Sequence, residues 1–196
     1  DHALYELGQD FLKAGLLDRA EETFRMLQSG DYALGAQRAL LTIYEIEKDW
    51  LKSIDTAQKL ETMGAEPLGR EIAQFHCELA QEALQQKKPQ EARRQLDLAL
   101  HANPQNVRAT ILFGDVDAAG GMYDKAIEHW RRVEEQNAAY LPLVAEKVMK
   151  AHEALGRQED GADLLTQWVD RYPSNDLLHV GYQYVAALRG PDAAHA

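Results

Sequence analysis

Two segments of this chain, residues 7–27 and residues 113–133, match each other without a gap. Small residues recur at the same places in both segments, and a bulky aromatic residue recurs at another. A pattern of this kind, repeated within one chain, restricts the fold to an array of similar units. The pairs that carry the match are Gly8 with Gly114, Gly15 with Gly121, Asp18 with Asp124, Ala20 with Ala126, and Phe24 with Trp130.

The repeated pattern predicts two antiparallel helices joined by a tight turn. Helices approach closely only where one side presents a small residue and the other fills the gap, so we expect Gly8 and Ala20 to be contact points and Phe24 to be the wedge between them. Gly15 ends the first helix. Asp18 stands where it can cap the second helix or place a favourable charge at its start.

The same pattern can be followed along the whole sequence as a single array covering residues 1–196. Its period is close to the 34 residues of tetratricopeptide (TPR) repeats. The interval between the second and third units is longer and contains Gly64, Pro67 and Gly69, which predicts a lengthened linker. The sequence therefore predicts an all-α, right-handed solenoid of helix hairpins, with about five complete units and part of a sixth. The units are 1–33, 34–66, 73–106, 107–140, 142–174 and a truncated 175–196, whose second helix should start near Pro191.

Charge and composition exclude several classes of function. The net charge of -11 argues against nucleic-acid binding, which requires clustered Lys and Arg. The single cysteine, Cys77, allows neither an internal disulfide nor a multi-thiolate zinc site. No apolar stretch approaches the roughly 20 residues of a membrane span. Since the chain begins without Met, we expect it to be a piece of a longer protein.

The first helix of each unit should line the inner groove of the solenoid. The residues that the repeat register directs into this groove are polar and mixed in charge, which favours a peptide or protein segment as the ligand over a small molecule. The expected partner-binding residues are Tyr5, Gln9, Arg38, Thr42, Cys77, Gln81, Arg108, Asp115, Glu146, Lys150, His179 and Gln183.

Residues that could suggest a metal or catalytic site are better explained by the helix repeat. His76, Cys77 and His101 could suggest a metal, but adjacent helical residues diverge by about 100 degrees and no carboxylate completes the set. Asp115 and Asp117 resemble the start of a calcium loop, yet the ligand spacing fails after the second Asp. No nucleophile with a neighbouring His and acid, and no phosphate-binding glycine loop, is visible. We therefore expect no catalytic residues, no metal and no cofactor in this chain.

Three stretches resemble the lipopolysaccharide assembly protein B (LapB) family. They are LGQDFLKAGLLDRAEETF, LLTIYEIEKDWLKSIDTAQKL around Trp50, and REIAQFHCELAQEAL around Cys77. The resemblance covers nearly the whole chain. It implies a non-enzymatic TPR adaptor that presents the lipid A pathway deacetylase (UDP-3-O-acyl-N-acetylglucosamine deacetylase) to the membrane protease FtsH for degradation, and so regulates lipopolysaccharide synthesis.

The same resemblance implies an N-terminal membrane anchor and a C-terminal rubredoxin-like zinc module, neither of which is in this sequence. The expected location is the cytoplasmic face of the bacterial inner membrane, reached through the anchor. Expected partners are the deacetylase, FtsH and other lipopolysaccharide assembly proteins, with a possible homodimer. Two alternatives stay open: a TPR scaffold of another envelope or secretion assembly pathway, and a catalytic or metal-dependent protein whose site lies outside the repeats.

Overall fold

The computed structural model describes residues 1–190, which form α-helices joined by short connections. Residues 1–190 contain no β-strand. No helix in this part of the chain has both the length and the apolar character needed to cross a bilayer. The helices are α1 His2–Lys13, α2 Leu17–Arg25, α3 Ala33–Glu47, α4 Trp50–Thr62, α5 Gly69–Gln85, α6 Pro89–Ala102, α7 Val107–Ala119, α8 Tyr123–Asn137, α9 Leu141–Ala154, α10 Gln158–Arg171 and α11 Asn175–Arg189, with a 3-10 turn at Ala138–Tyr140.

The helices pair in chain order as hairpins. Contacts are extensive between α1 and α2, α3 and α4, α5 and α6, α7 and α8, and α9 and α10, and each second helix then packs on the first helix of the following pair. This order confirms the predicted TPR solenoid. The sixth unit contributes α11, and its predicted second helix near Pro191 lies outside the described residues.

The predicted contact between small and bulky residues is confirmed inside the hairpins. A Cβ atom added to Gly8 would lie 2.8 Å from Cε1 of Phe24. In the matching unit, a Cβ on Gly114 would overlap the indole ring of Trp130. Ala20 and Ala126 are fully buried. The short side chains therefore let the two helices of each hairpin approach closely.

The turn inside the first hairpin uses a glycine in the left-handed region. Gly15 has φ +72, a conformation that costs glycine little, and its backbone amide donates to the carbonyl of Leu12 at 3.0 Å. The second helix begins at Leu17 without a side-chain cap, and Asp18 lies in its first turn. Of the two roles expected for Asp18, the structure supports the favourable charge at the helix start.

The longer interval between the second and third units is shared between a linker and a helix. The expectation of a lengthened linker is confirmed in part: the connection 63–68 before α5 is longer than the connections 103–106 before α7 and 172–174 before α11. The remaining residues lengthen α5, which begins at Gly69 and runs for 17 residues, against 13 for α7. A Cβ on Gly69 would lie 2.6 Å from the carbonyl oxygen of Ala102. Glycine at this position therefore allows the added turn of α5 to pack against the end of α6.

Apolar clusters follow one another along the array and fill the spaces between helices. Phe24 and Trp130 are buried, as the repeat register predicts, and Trp168 is buried as well. Trp50 is only partly buried: its ring stacks on Phe75 at 6.0 Å between centroids, and its Nε1 donates to Glu82 at 3.0 Å. Trp50 therefore joins the second unit to the third at the edge of the core.

Candidate functional site

We assign the inner, concave side of the array to the first helices, because three of their five neighbouring pairs make contacts that consecutive second helices do not match. The first helices α1 and α3, α5 and α7, and α9 and α11 contact one another. Within residues 1–190, consecutive second helices such as α6 and α8, or α8 and α10, make no comparable contact. We use the name concave face for the exposed side chains of α1, α3, α5, α7, α9 and α11.

Most of the residues expected to bind a partner have side chains that solvent can reach. All six first helices of the described array contribute residues to this set, so the set extends along the whole described array. The exposed or partly exposed members are Gln9, Arg38, Thr42, Gln81, Arg108, Asp115, Glu146, Lys150, His179 and Gln183.

Cys77 was wrongly assigned to the groove. Its side chain is fully buried, and its Sγ lies 3.8 Å from Oδ1 of Asn106. The small neighbours Ala73 and Ala80 let α5 approach α6 and α7 so closely that this position faces the helix interface. Burial raises the pKa of the Cys77 thiol to about 12. A neutral, buried thiol can neither contact a partner nor act as a nucleophile.

Tyr5 is partly buried and packs within the first units. Its ring lies 5.8 Å from that of Phe24 and 5.2 Å from that of Tyr32, measured between centroids. A Cβ on Gly35 would lie 2.9 Å from the Tyr5 hydroxyl oxygen. Tyr5 therefore closes the contact between α1 and α3, and only part of its ring remains for the concave face.

Arg108 connects two neighbouring first helices across the concave face. Its Nη1 donates to Oε1 of Glu78 at 2.6 Å and to Oε1 of Gln74 at 3.2 Å, and its Nη2 donates to Gln81. All three acceptors are on α5, whereas Arg108 is on α7. The guanidinium thereby fixes the relative position of these two helices and uses three of its five N–H donors to do so.

Lys147 makes an equivalent connection one unit later. Its Nζ donates to both carboxylate oxygens of Asp115, at 2.6 and 2.7 Å, which joins α9 to α7. Lys150 pairs with Glu146 on its own helix at 2.6 Å. The charged residues of the central concave face are therefore already paired with one another. A partner must fit between these pairs or compete with them.

Sequence reasoning missed Gln74, Glu78 and Lys147 as members of this face. The sequence did contain a signal that could have identified Glu78 and Lys147. Glu78 and Arg108 carry opposite charges about one repeat apart, and so do Asp115 and Lys147, which places each pair on successive first helices.

A cavity of about 660 Å³ lies where the N-terminal halves of α5, α7 and α9 meet the loops between units. We name it the α5–α7–α9 cavity. It adjoins the concave face, since Gln74 and Arg108 belong to both. Its lining residues are Arg70, Glu71, Gln74, Asn103, Gln105, Asn106, Val107, Arg108, Ile111, Leu112, Asn137, Tyr140 and Leu143.

The residues considered for metal binding have other partners. The ring Nδ1 of buried His76 lies 2.7 Å from Oε1 of Gln95, and burial lowers the pKa of His76. Asp117 is buried against Arg93 and His129. Across residues 1–190, no three His, Cys, Asp or Glu side chains converge in a way that could hold a metal ion. The site is thus a surface of hydrogen-bonding and charged groups around an apolar cavity.

Known proteins are similar to this chain in two ways: a repeat family matches part of it, and curated relatives match nearly all of it. A tetratricopeptide repeat family model matches residues 77–142. Lipopolysaccharide assembly protein B of Escherichia coli K12 is 32% identical over 193 residues, which cover 98% of this chain and 50% of the relative. The chain is a TPR homologue of lipopolysaccharide assembly protein B. The Haemophilus influenzae protein of that name is 31% identical over 196 residues, 99% of this chain and 49% of the relative. The TPR array thus spans about half the length of the relatives it matches.

Solved structures share the fold. A crystal structure of MamA superimposes with a TM-score of 0.52 at 16% identity, covering 96% of this chain and 94% of that one. A crystal structure of YrrB, described as a TPR protein with an unusual peptide-binding site, gives 0.51 at 19% identity, covering 90% and 89%. At these identities the likeness concerns the architecture of the TPR array.

Proposed function

We propose that this TPR array is a protein-binding adaptor of lipopolysaccharide assembly. The observation that carries the proposal is the concave face: a continuous row of polar and charged side chains on successive first helices, beside one largely apolar cavity. A long surface with these properties suits an extended polypeptide better than a small molecule. The homology to lipopolysaccharide assembly protein B supplies the pathway.

The paired charges of the concave face support this role. Arg108 with Glu78 and Lys147 with Asp115 hold α5, α7 and α9 in fixed relative positions before any partner arrives. A surface that is already ordered loses less conformational entropy when it binds. The central concave face therefore suits recognition of a particular segment.

In its specific form, the proposal assigns two partners, the lipid A pathway deacetylase and the protease FtsH. By binding both, the adaptor would raise the effective concentration of the deacetylase at the protease, without chemistry of its own. We further propose that the adaptor works at the cytoplasmic face of the inner membrane, where an anchor outside this array would hold it.

Co-purification of the intact protein with the deacetylase and FtsH tests this function. We expect both partners to be retained, and the deacetylase to persist longer in cells that lack the adaptor. The double variant Arg38→Glu/Lys150→Glu on the concave face should lose the deacetylase. The matched variant Lys59→Glu/Lys125→Glu, on the second helices α4 and α8, should retain it. The assignment would be contradicted if Arg38→Glu/Lys150→Glu retained both partners. It would also be contradicted if Lys59→Glu/Lys125→Glu lost both partners.

A further inference from the structure

We propose that the α5–α7–α9 cavity binds one bulky apolar side chain of an extended partner segment, and that the same segment places a carboxylate beside Arg70. This inference deepens the proposed function, since it rests on a polypeptide lying along the concave face. It defines the chemistry of the segment: an apolar anchor next to Asp, Glu or a chain terminus.

The apolar part of the cavity is open to solvent. Leu143 is 59% exposed and Tyr140 is 44% exposed, and both share the cavity lining with the partly buried Ile111. Large apolar side chains gathered around a concavity favour a ligand that covers them. The volume of about 660 Å³ is in the range of natural ligand pockets and exceeds what one aromatic side chain needs.

Three asparagines around the cavity each use the side-chain oxygen to accept a backbone hydrogen bond. The Oδ1 of Asn103 accepts from Gln105, that of Asn106 from Ala109 and that of Asn137 from Ala139, at 3.1, 2.8 and 3.1 Å. Within residues 1–190, the side-chain nitrogens of these asparagines make no hydrogen bond. The cavity therefore offers hydrogen-bond donors to a ligand rich in acceptors, such as the carbonyl groups of an extended chain.

The charges around the cavity favour a carboxylate. Its lining contains two guanidinium groups, Arg70 and Arg108, and one carboxylate, Glu71, in a chain whose net charge is -11. Arg108 pairs with Glu78, whereas Arg70 makes no ion pair among the described residues. A free guanidinium beside an apolar cavity binds a carboxylate well, because it can donate two parallel hydrogen bonds.

The cavity is continuous with the concave face through Arg108 and Gln74. A segment lying across α5, α7 and α9 must therefore pass the cavity opening, where a bulky side chain can enter. The neighbouring donors can then bond the backbone on either side of that residue. One anchored side chain would fix the register of the segment on the array.

A random peptide library displayed on phage tests the proposal without any assumed partner. The library is selected on the immobilised chain, and binding of the enriched peptides is measured for the variants Leu143→Asp and Arg70→Glu. Both changes place an acid in the first turn of a helix, where it favours helix formation, so the fold should persist. The matched controls are Leu51→Asp and Lys125→Glu, in the first turns of α4 and α8 and away from the cavity.

We expect enriched peptides to combine a large apolar residue with a neighbouring acid. Their affinity should fall at least about tenfold for Leu143→Asp and for Arg70→Glu, and should be unchanged in both controls. No enrichment, enrichment of basic peptides, or equal loss in the controls would overturn the proposal. If peptides bind as expected but the deacetylase does not, only the proposed function fails. If the deacetylase binds and both cavity variants retain it, the cavity proposal fails alone.

Discussion

The ring Nδ1 of His129 lies 3.0 Å from Oδ2 of Asp117, whose carboxylate is fully buried. The other carboxylate oxygen pairs with the Arg93 guanidinium. The His129 ring also stacks on Phe113, with 4.5 Å between centroids. These residues come from α6, α7 and α8, so one buried carboxylate joins the third unit to both helices of the fourth.

Replacing Asp117 should therefore destabilise the array strongly. Asp117→Ala leaves Arg93 without its buried partner, and we expect a loss of about 3 kcal/mol. The matched control is Asp115→Ala, which removes a pair with Lys147 that is about one-third exposed and should cost about 1 kcal/mol or less. Urea denaturation followed by circular dichroism measures both. Equal losses would show that the buried pairing of Asp117 contributes nothing special.

The contact between Gly114 and Trp130 predicts an unusual response to alanine. In most helices Gly→Ala is stabilising by about 1 kcal/mol. Here the added Cβ meets the indole, and we expect Gly114→Ala to cost about 1–3 kcal/mol instead. Gly120→Ala, at the end of the same helix, is the control, since its Cβ would lie 3.3 Å from the end of Met122 and 3.4 Å from the carbonyl oxygen of Asp117, without the overlap that occurs at Gly114.

A double-mutant cycle then checks the cause of that loss. If the indole is responsible, the cost of Gly114→Ala should largely disappear in a Trp130→Leu background. An unchanged cost in that background would point away from this contact. Thermal unfolding of the four proteins supplies the measurement.

His152 should make the array less stable in mild acid. Burial, together with the charge of Arg157, lowers the pKa of His152, and both ring nitrogens lack a partner among the described residues. At pH values between this lowered pKa and the unfolded value of about 6.5, His152 is protonated in the unfolded chain and neutral in the folded chain. The contribution of His152 to the free energy of unfolding is therefore at its full value above about pH 6.5. It decreases as the pH falls from there towards the lowered pKa.

The variant His152→Leu isolates this contribution. Its free energy of unfolding should depend less on pH than that of the parent chain below about pH 6.5, and equally above it. The comparison requires denaturation curves from pH 5 to 8. Parallel pH profiles for the two proteins would contradict the account of His152.

Cys77 should resist thiol reagents in the folded chain. Because its thiol is buried and its pKa is raised to about 12, we expect reaction with a disulfide reagent to be at least about a hundredfold slower than in urea. The control is Gln81→Cys in a Cys77→Ala background, which places a thiol on the exposed part of the same helix. A native Cys77 that reacts as fast as this control would refute the packing of α5.

The sequence was sufficient to predict the hairpins because the repeat fixes which residues meet. Gly8 with Phe24, and Gly114 with Trp130, are contacts between the two helices of one unit, so one register determines both. The extra residues before Ile72 could not be assigned in the same way. Whether they form a loop or a turn of α5 depends on the fit of Gly69 against Ala102, which no local pattern encodes.

The concave face was only partly predictable, for a related reason. Register indicates which side of a helix faces inward on average, and it placed Arg108 and Asp115 correctly among the accessible residues. It could not show that α5 lies close enough to its neighbours to bury Cys77. The α5–α7–α9 cavity depends on three helices and the loops between them, so neither its volume nor the exposure of Leu143 follows from the spacing of residues.

Hydrogen–deuterium exchange of the array, with and without the deacetylase, shows whether this partner lies on the concave face. We expect the deacetylase to slow exchange on the first helices, most of all in the N-terminal halves of α5, α7 and α9. Exchange on the second helices α4, α6 and α8 should be unchanged. Protection confined to those second helices, or no protection with the deacetylase in saturating excess, would contradict a concave face that binds this partner.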